Sequence, residues 1–75
     1  MKRAHWEDGR ALVNGWRLRV MLGPIPGCWV WRARGWSCAV EVRVSPVNVL
    51  DSVFLARRAA VAWARKQAFG GEGER

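Results

Sequence analysis

Arginine carries most of the chemistry that this chain could perform. Of its 13 basic residues only Lys2 and Lys66 are lysine, against 6 acidic residues, which leaves a net charge of +7. Guanidinium groups offer a planar fork of donors matched to phosphate and carboxylate, so the balance favours an anionic partner. A GC-rich coding sequence, which inflates Arg, Ala, Gly and Trp together, would give the same count with no partner at all. Position therefore says more than number. In the run WRLRVML, residues 16–22, Arg17 and Arg19 alternate with Trp16, Leu18, Val20 and Leu22. That is the period of a strand with one dry face and one wet face.

Catalytic chemistry is poorly supplied. The one histidine, His5, sits in a polar N-terminal stretch expected to be flexible, so no His-based acid–base pair can be held in place. Among the carboxylates Glu7, Asp8, Glu41, Asp51, Glu72 and Glu74, only Glu41 falls on a predicted rigid element. A lone carboxylate among arginines reads as an ion-pair partner before it reads as a base. Cys28 and Cys38 fall on opposite faces of adjacent predicted strands, where their side chains diverge and cannot bridge. Two cysteines and a distant histidine also fall short of the four ligands of a structural zinc site. The glycines at 70, 71 and 73 come without the lysine of a phosphate loop. The expectation is a non-enzymatic protein with neither metal nor cofactor.

The elements that would hold the arginines follow from periodicity. Residues 16–22 form the first strand, ended by the loop signal GPIPG at 23–27. CWVWRA leads into Arg34-Gly35, and WSCAVEVRV follows, a hairpin pattern. A two-residue turn at Arg34-Gly35 sets Trp31 across from Cys38. It gathers Trp29, Trp31, Trp36, Cys38, Val40 and Val42 on one face. The loop at 23–27 must then hold four or six residues, or a bulge, so that Val20 lies across from Trp29 or Trp31. Pro46 ends the third strand. Asp51 or Ser52 caps a helix whose Val53, Ala56, Ala60, Trp63 and Ala64 share one side, with Arg58, Arg65 and Lys66 away from it. The fold class expected is α+β: a three-stranded antiparallel β-meander followed by one C-terminal α-helix packed on its apolar face (β-β-β-α). The chain divides into a flexible segment 1–10, a single domain 11–69 and a flexible tail 70–75. Six tryptophans supply the core density that so short a chain needs.

In that arrangement Arg17, Arg19, Arg32 and Arg43 project from the sheet face opposite the helix, with Arg34 in the turn and Arg10 before the first strand at the rim. Small residues between them leave a shallow platform able to lie in a DNA groove. The other reading of the same face is a solvated surface in which Glu41 pairs with Arg19 or Arg43.

The order of three strands and a helix is similar in topology to the AP2-type and integrase arm-type DNA-binding domains. WRLRV, WVWRARGW and VEVRV occupy the places of the strands, and ARRAAVAWARKQ that of the helix. The resemblance implies that the sheet face reads the major groove while the alanine-rich helix backs it. Duplex DNA is thus the favoured partner; most of the indoles are expected in the core, which disfavours stacking on single strands. The rival expectation is an inhibitor or adaptor of the phage or mobile-element type that binds an acidic surface of a host complex, with Trp6, Leu55 and Phe69 as protein contacts. The two edge strands of the meander could also pair into a homodimer. Glu7 and Asp8 interrupt any signal peptide, and stretch 20–31 is too short and too broken to span a bilayer. A cytoplasmic protein without membrane contact is expected.

Overall fold

The computed structural model describes residues 4–23, 28–36, 38–44 and 52–71. The chain forms β1 (Arg10–Val13), β2 (Trp16–Leu22), β3 (Trp29–Arg34), β4 (Ala39–Val44) and α1 (Ser52–Lys66). The sheet is antiparallel throughout, in the order β1-β2-β3-β4, and α1 packs chiefly on β3 and β2. It is an α+β fold with four strands, one more than the three the sequence led us to expect. The extra strand exists because Asn14-Gly15 is a hairpin turn and does not merely open a strand. Both residues have positive φ, 50° and 75°, and Val13 faces Trp16 across them. Two successive positive-φ positions make the type I′ geometry whose twist matches the flanking strands, and Asn-Gly is its preferred pair. A second tight turn precedes β1. Asp8 and Gly9 also have positive φ, and Glu7 and Arg10 exchange backbone hydrogen bonds of 2.8 and 3.0 Å. Residues 4–10, anticipated as part of a flexible segment, thus run into the sheet.

Alternation puts Trp16, Leu18 and Val20 of β2, with Trp31 and Ala33 of β3, on the helix side, all buried. The α1 residues Ala56, Ala60 and Ala64 meet them and are fully buried. Their spacing of four makes one flat stripe, which lets the helix backbone approach a sheet crowded with indoles. Trp63 sits between two of those indoles. Its ring lies 4.8 Å from that of Trp16, edge to face at 76°, and 5.8 Å from that of Trp31, tilted at 48°. Such aromatic pairs add about 0.5–1.5 kcal/mol each beyond the area they bury. Arg58, Arg65 and Lys66 are exposed on the far side of α1, as its projection requires. Asp51, the other candidate cap, lies outside the described residues, as do Pro46 and the remaining residues of 24–27, 45–50 and 72–75.

The registers of the two remaining hairpins differ in how well the sequence anticipated them. Val20 faces Trp31 and Gly23 N–H donates to Cys28 C=O at 2.7 Å, which leaves four residues in the β2–β3 connection. In the β3–β4 hairpin the turn is not Arg34-Gly35. Gly35 N–H donates to Cys38 C=O at 2.8 Å, Ala33 faces Val40 and Trp31 faces Val42, so the ladder runs past Arg34-Gly35 to the Gly35–Cys38 pair. Trp36 therefore falls beyond the paired residues, while Cys38 keeps the parity of Val40 and Val42 at the end of the ladder; both are exposed, Trp36 at 87%. Gly35 is what the shift needs: a Cβ there would meet the Trp16 ring at 2.5 Å. Cys28 and Cys38 end up at opposite ends of β3. Seven residues of extended chain separate their levels, about 23 Å, far beyond the reach of a disulfide.

The helix C-terminus is capped from a distance. Asn14 Nδ2 donates to Ala64 C=O at 3.0 Å and Gln67 C=O at 2.9 Å, and Trp16 Nε1 donates to Ala68 C=O at 2.9 Å. Gly70 N–H returns a bond to Asn14 C=O at 2.9 Å, and Trp36 N–H donates to Gly70 C=O at 2.7 Å. Asn14 thus supplies both the positive φ of the turn and a side-chain donor to two carbonyls at the helix C-terminus, of which that of Ala64 also accepts from Gln67 N–H at 3.3 Å. Asn14→Gly keeps the first and loses the second; we expect it to cost about 1–2 kcal/mol. Asn14→Ala loses both and should cost about 2–3 kcal/mol, lowering the melting temperature by roughly 10–20 °C in calorimetry. Equal melting of Asn14→Ala and the parent chain would contradict this role. No helix among the described residues is long and apolar enough to cross a membrane.

Candidate nucleic-acid interface

The face of the sheet away from α1 is built by the other half of each alternation. On β1 it receives Arg10 and Leu12, on β2 Arg17 and Arg19, on β3 Arg32 and Arg34, and on β4 Glu41 and Arg43. Register then aligns them in rows across the strands. Arg10 faces Arg19, Arg19 faces Arg32, and Arg32 faces Glu41. The next row runs Leu12, Arg17, Arg34 and Ala39. Strand spacing sets neighbours in a row about 5 Å apart, and two residues of strand set the rows about 7 Å apart. Five guanidinium-bearing residues therefore share one patch of sheet.

That patch is an open concavity of about 880 Å³ lined by Arg10, Arg17, Arg19, Arg32 and Arg34, with His5, Glu7 and Asp8 along one rim. The rim exists because the Asp8-Gly9 turn carries the N-terminal stretch beside β1. Like charges directly opposite one another on adjacent strands destabilise a sheet, so two successive Arg–Arg oppositions in one row work against folding. One carboxylate offsets part of it. Arg32 donates to Glu41 Oε1 through Nη2 at 2.7 Å and Nε at 3.1 Å, with both side chains about half exposed. Glu41 thus pairs with Arg32 across β3–β4, and not with Arg19 or Arg43. An exposed pair of this kind contributes little to stability, but it aims the Arg32 guanidinium along the face. His5 and Glu7 approach to 3.4 Å at the rim, both well exposed.

The structure brings together five of the six arginines expected to form the site. Arg10 belongs to β1 and Arg34 to β3, so both stand on the sheet itself and not before it or in its turn. Arg43 is exposed on β4 opposite Val30, on the same face but outside the concavity. Leu12, half exposed within the second row, was not anticipated; the Asn14-Gly15 turn signal, with alternation continued backwards, would have found it. The protein-contact candidates do not converge. Trp6 is half-buried against the core with the Arg57 guanidinium 5.3 Å from its ring centre. Leu55 and Phe69 are exposed, but Leu55 lies in the first turns of α1 while Phe69 follows its last residue and packs its ring beside Gly15. Among the described residues no three His, Cys, Asp or Glu side chains are grouped to hold a metal ion.

No protein family, curated protein or solved structure matches the chain, and the fourth strand departs from the order of three strands and a helix on which the resemblance to the AP2-type and integrase arm-type domains rested.

Proposed function

We propose that this chain is a non-enzymatic nucleic-acid-binding protein that engages duplex DNA through the outer face of its sheet. Arg17, Arg19, Arg32, Arg34 and Arg10 make the contacts and Arg43 extends them toward the β4 edge. The observation that carries this reading is the Arg10–Arg19–Arg32 row, a direct opposition of like charges that folding alone disfavours and an array of phosphates would relieve. The exposed small residue Ala39 and the shallow form of the concavity leave room for a duplex backbone to approach.

Fluorescence anisotropy with labelled duplex DNA, single-stranded DNA and RNA tests it. Four or five phosphate contacts give a slope of log K against log salt near −3.6 to −4.5, so affinity for the duplex should fall about 150- to 500-fold between 50 and 200 mM salt. Tighter binding to the single strand would reassign the site toward the exposed Trp36 at the hairpin tip, where a base could stack. Weak binding to all three that vanishes at 200 mM would overturn the proposal and favour an acidic protein surface as the partner of the same face.

A further inference from the structure

A four-stranded open sheet has two edges, and here they differ. Expecting three strands led to residues 16–22 as one edge; β1 now covers it, so the edges are β1 and β4. In an antiparallel ladder the backbone groups of alternate residues point away from the partner strand. On β1 those residues are Arg10 and Leu12, and Arg10 spends both its N–H and its C=O on Glu7 in the preceding turn. That leaves only Leu12 outward on this edge. On β4 the bonded Gly35–Cys38 pair fixes the alternation, so Val40 and Val42 bond to β3 while Ala39, Glu41 and Arg43 turn their N–H and C=O outward. Among the described residues nothing pairs with them, and all three are exposed.

The charges on this open edge alternate in a way that fits a second copy of itself. We infer that two copies join through β4 as an isologous antiparallel pair, with Val42 opposite the second copy's Val42 and Glu41 and Arg43 reciprocally paired. Only this register is complementary. A shift by one pair in one direction sets Glu41 against Glu41, and in the other sets Arg43 against Arg43. Glu41 can serve both partners, since both bonds from Arg32 end on Oε1 and leave Oε2 for the second copy's Arg43. Each Glu41–Arg43 pair also exchanges two backbone hydrogen bonds, and the half-exposed Val42 side chains come together on the helix side. The edge alternates opposite charges instead of carrying one sign, so it lacks the usual protection against strand addition. The product is a continuous eight-stranded sheet whose two arginine faces lie on one side, with both Arg43 residues at its centre. The pairing does not depend on the nucleic-acid reading, though it would double that surface.

So short an interface falls in the small, transient class, so association should depend on concentration. Sedimentation equilibrium of the full chain without nucleic acid, from about 5 to 500 µM, should show the mass rising from 8.5 kDa toward twice that value. Glu41→Arg and Arg43→Glu should each weaken self-association by about 10-fold or more, because each leaves only like charges across the edge. An equimolar mixture of these two variants should dimerise again, since the basic edge of one meets the acidic edge of the other. Circular dichroism monitors their folding; if a reversal perturbs it, Arg43→Ala should still weaken the dimer about 5-fold. A parent chain that stays monomeric at the top concentration overturns the inference. So does a dimer insensitive to these changes, or folded variants that fail to rescue each other. Anisotropy at low protein concentration reads the arginine face separately, so the two proposals fail independently.

Discussion

Replacing Arg17 and Arg19 together by alanine should lower duplex affinity about 200-fold at 50 mM salt. Each phosphate contact contributes a factor of salt concentration to the power −0.9, roughly 15-fold at that concentration, and two are lost. The slope of log K against log salt should become shallower by about 1.8. The same variant should be no less stable than the parent and slightly more so. Arg19 stands between Arg10 and Arg32, so its removal relieves two like-charge oppositions, each worth about 0.2–1 kcal/mol. Neither side chain is in an ion pair with a described residue, and both are exposed, so no packing is lost. A higher melting temperature together with weaker binding is the signature of residues kept for a partner. Unchanged binding would remove the sheet face as the site. Loss confined to one DNA sequence would mean that an arginine reads a base edge instead of a phosphate.

Trp31→Ala should leave the chain largely unfolded at 37 °C. Large aromatic-to-alanine changes in a core cost about 3–5 kcal/mol. A domain of this length has roughly 4–11 kcal/mol in total. Trp31 is 4% exposed, faces Val20 on one side and Val42 on the other, and touches the Trp63 ring, so the cavity could not collapse without moving α1. Trp31→Phe separates size from polarity. Among the described residues the buried Trp31 Nε1 donor finds no acceptor, which is a penalty to folding. Phenylalanine removes that penalty while losing some volume, so it should cost about 1–2 kcal/mol at most. Thermal melts of the two variants, followed by far-ultraviolet circular dichroism, check both values. A Trp31→Phe chain as unstable as Trp31→Ala would show that the indole ring itself is indispensable to the packing.

How legible these features were in the sequence depended on which physical signal carried them. Side-chain direction was legible. Strand alternation has period two, so any even slip of register preserves faces, and the expected β3–β4 pairing was wrong by an even slip. Arg32 and Arg43 therefore kept their face although Glu41 changed partner. Register was not legible, because nothing in the string itself separates a turn at Arg34-Gly35 from a ladder that runs past it. What decides between them is the Trp16 ring filling the space above Gly35, a contact between residues far apart in the chain. The helix face was legible from three alanines four apart. β1 escaped because it is short and its four residues carry only two apolar positions inward, Ala11 and Val13, although Asn14-Gly15 announced the turn beside it. The convergence of Arg10 with Arg19 depended on that strand, so the row at the centre of the candidate site could not be drawn without it.

The capping of α1 by Asn14 has a consequence for how the chain folds. Its bonds to Ala64 and Gln67, with that of Trp16 to Ala68, span 50, 53 and 52 residues. Closing them requires residues 14–16 to meet residues 64–68, and the loop entropy of that closure is lost before any contact offsets it. The hairpins can form locally on a microsecond scale, but the seam joining residues 14–16 to 64–70 must close afterwards. Unfolding should begin at the same seam. In native-state hydrogen exchange the amides of Gly70 and Trp36 would then open together, ahead of the β2–β3 ladder, as one cooperative unit.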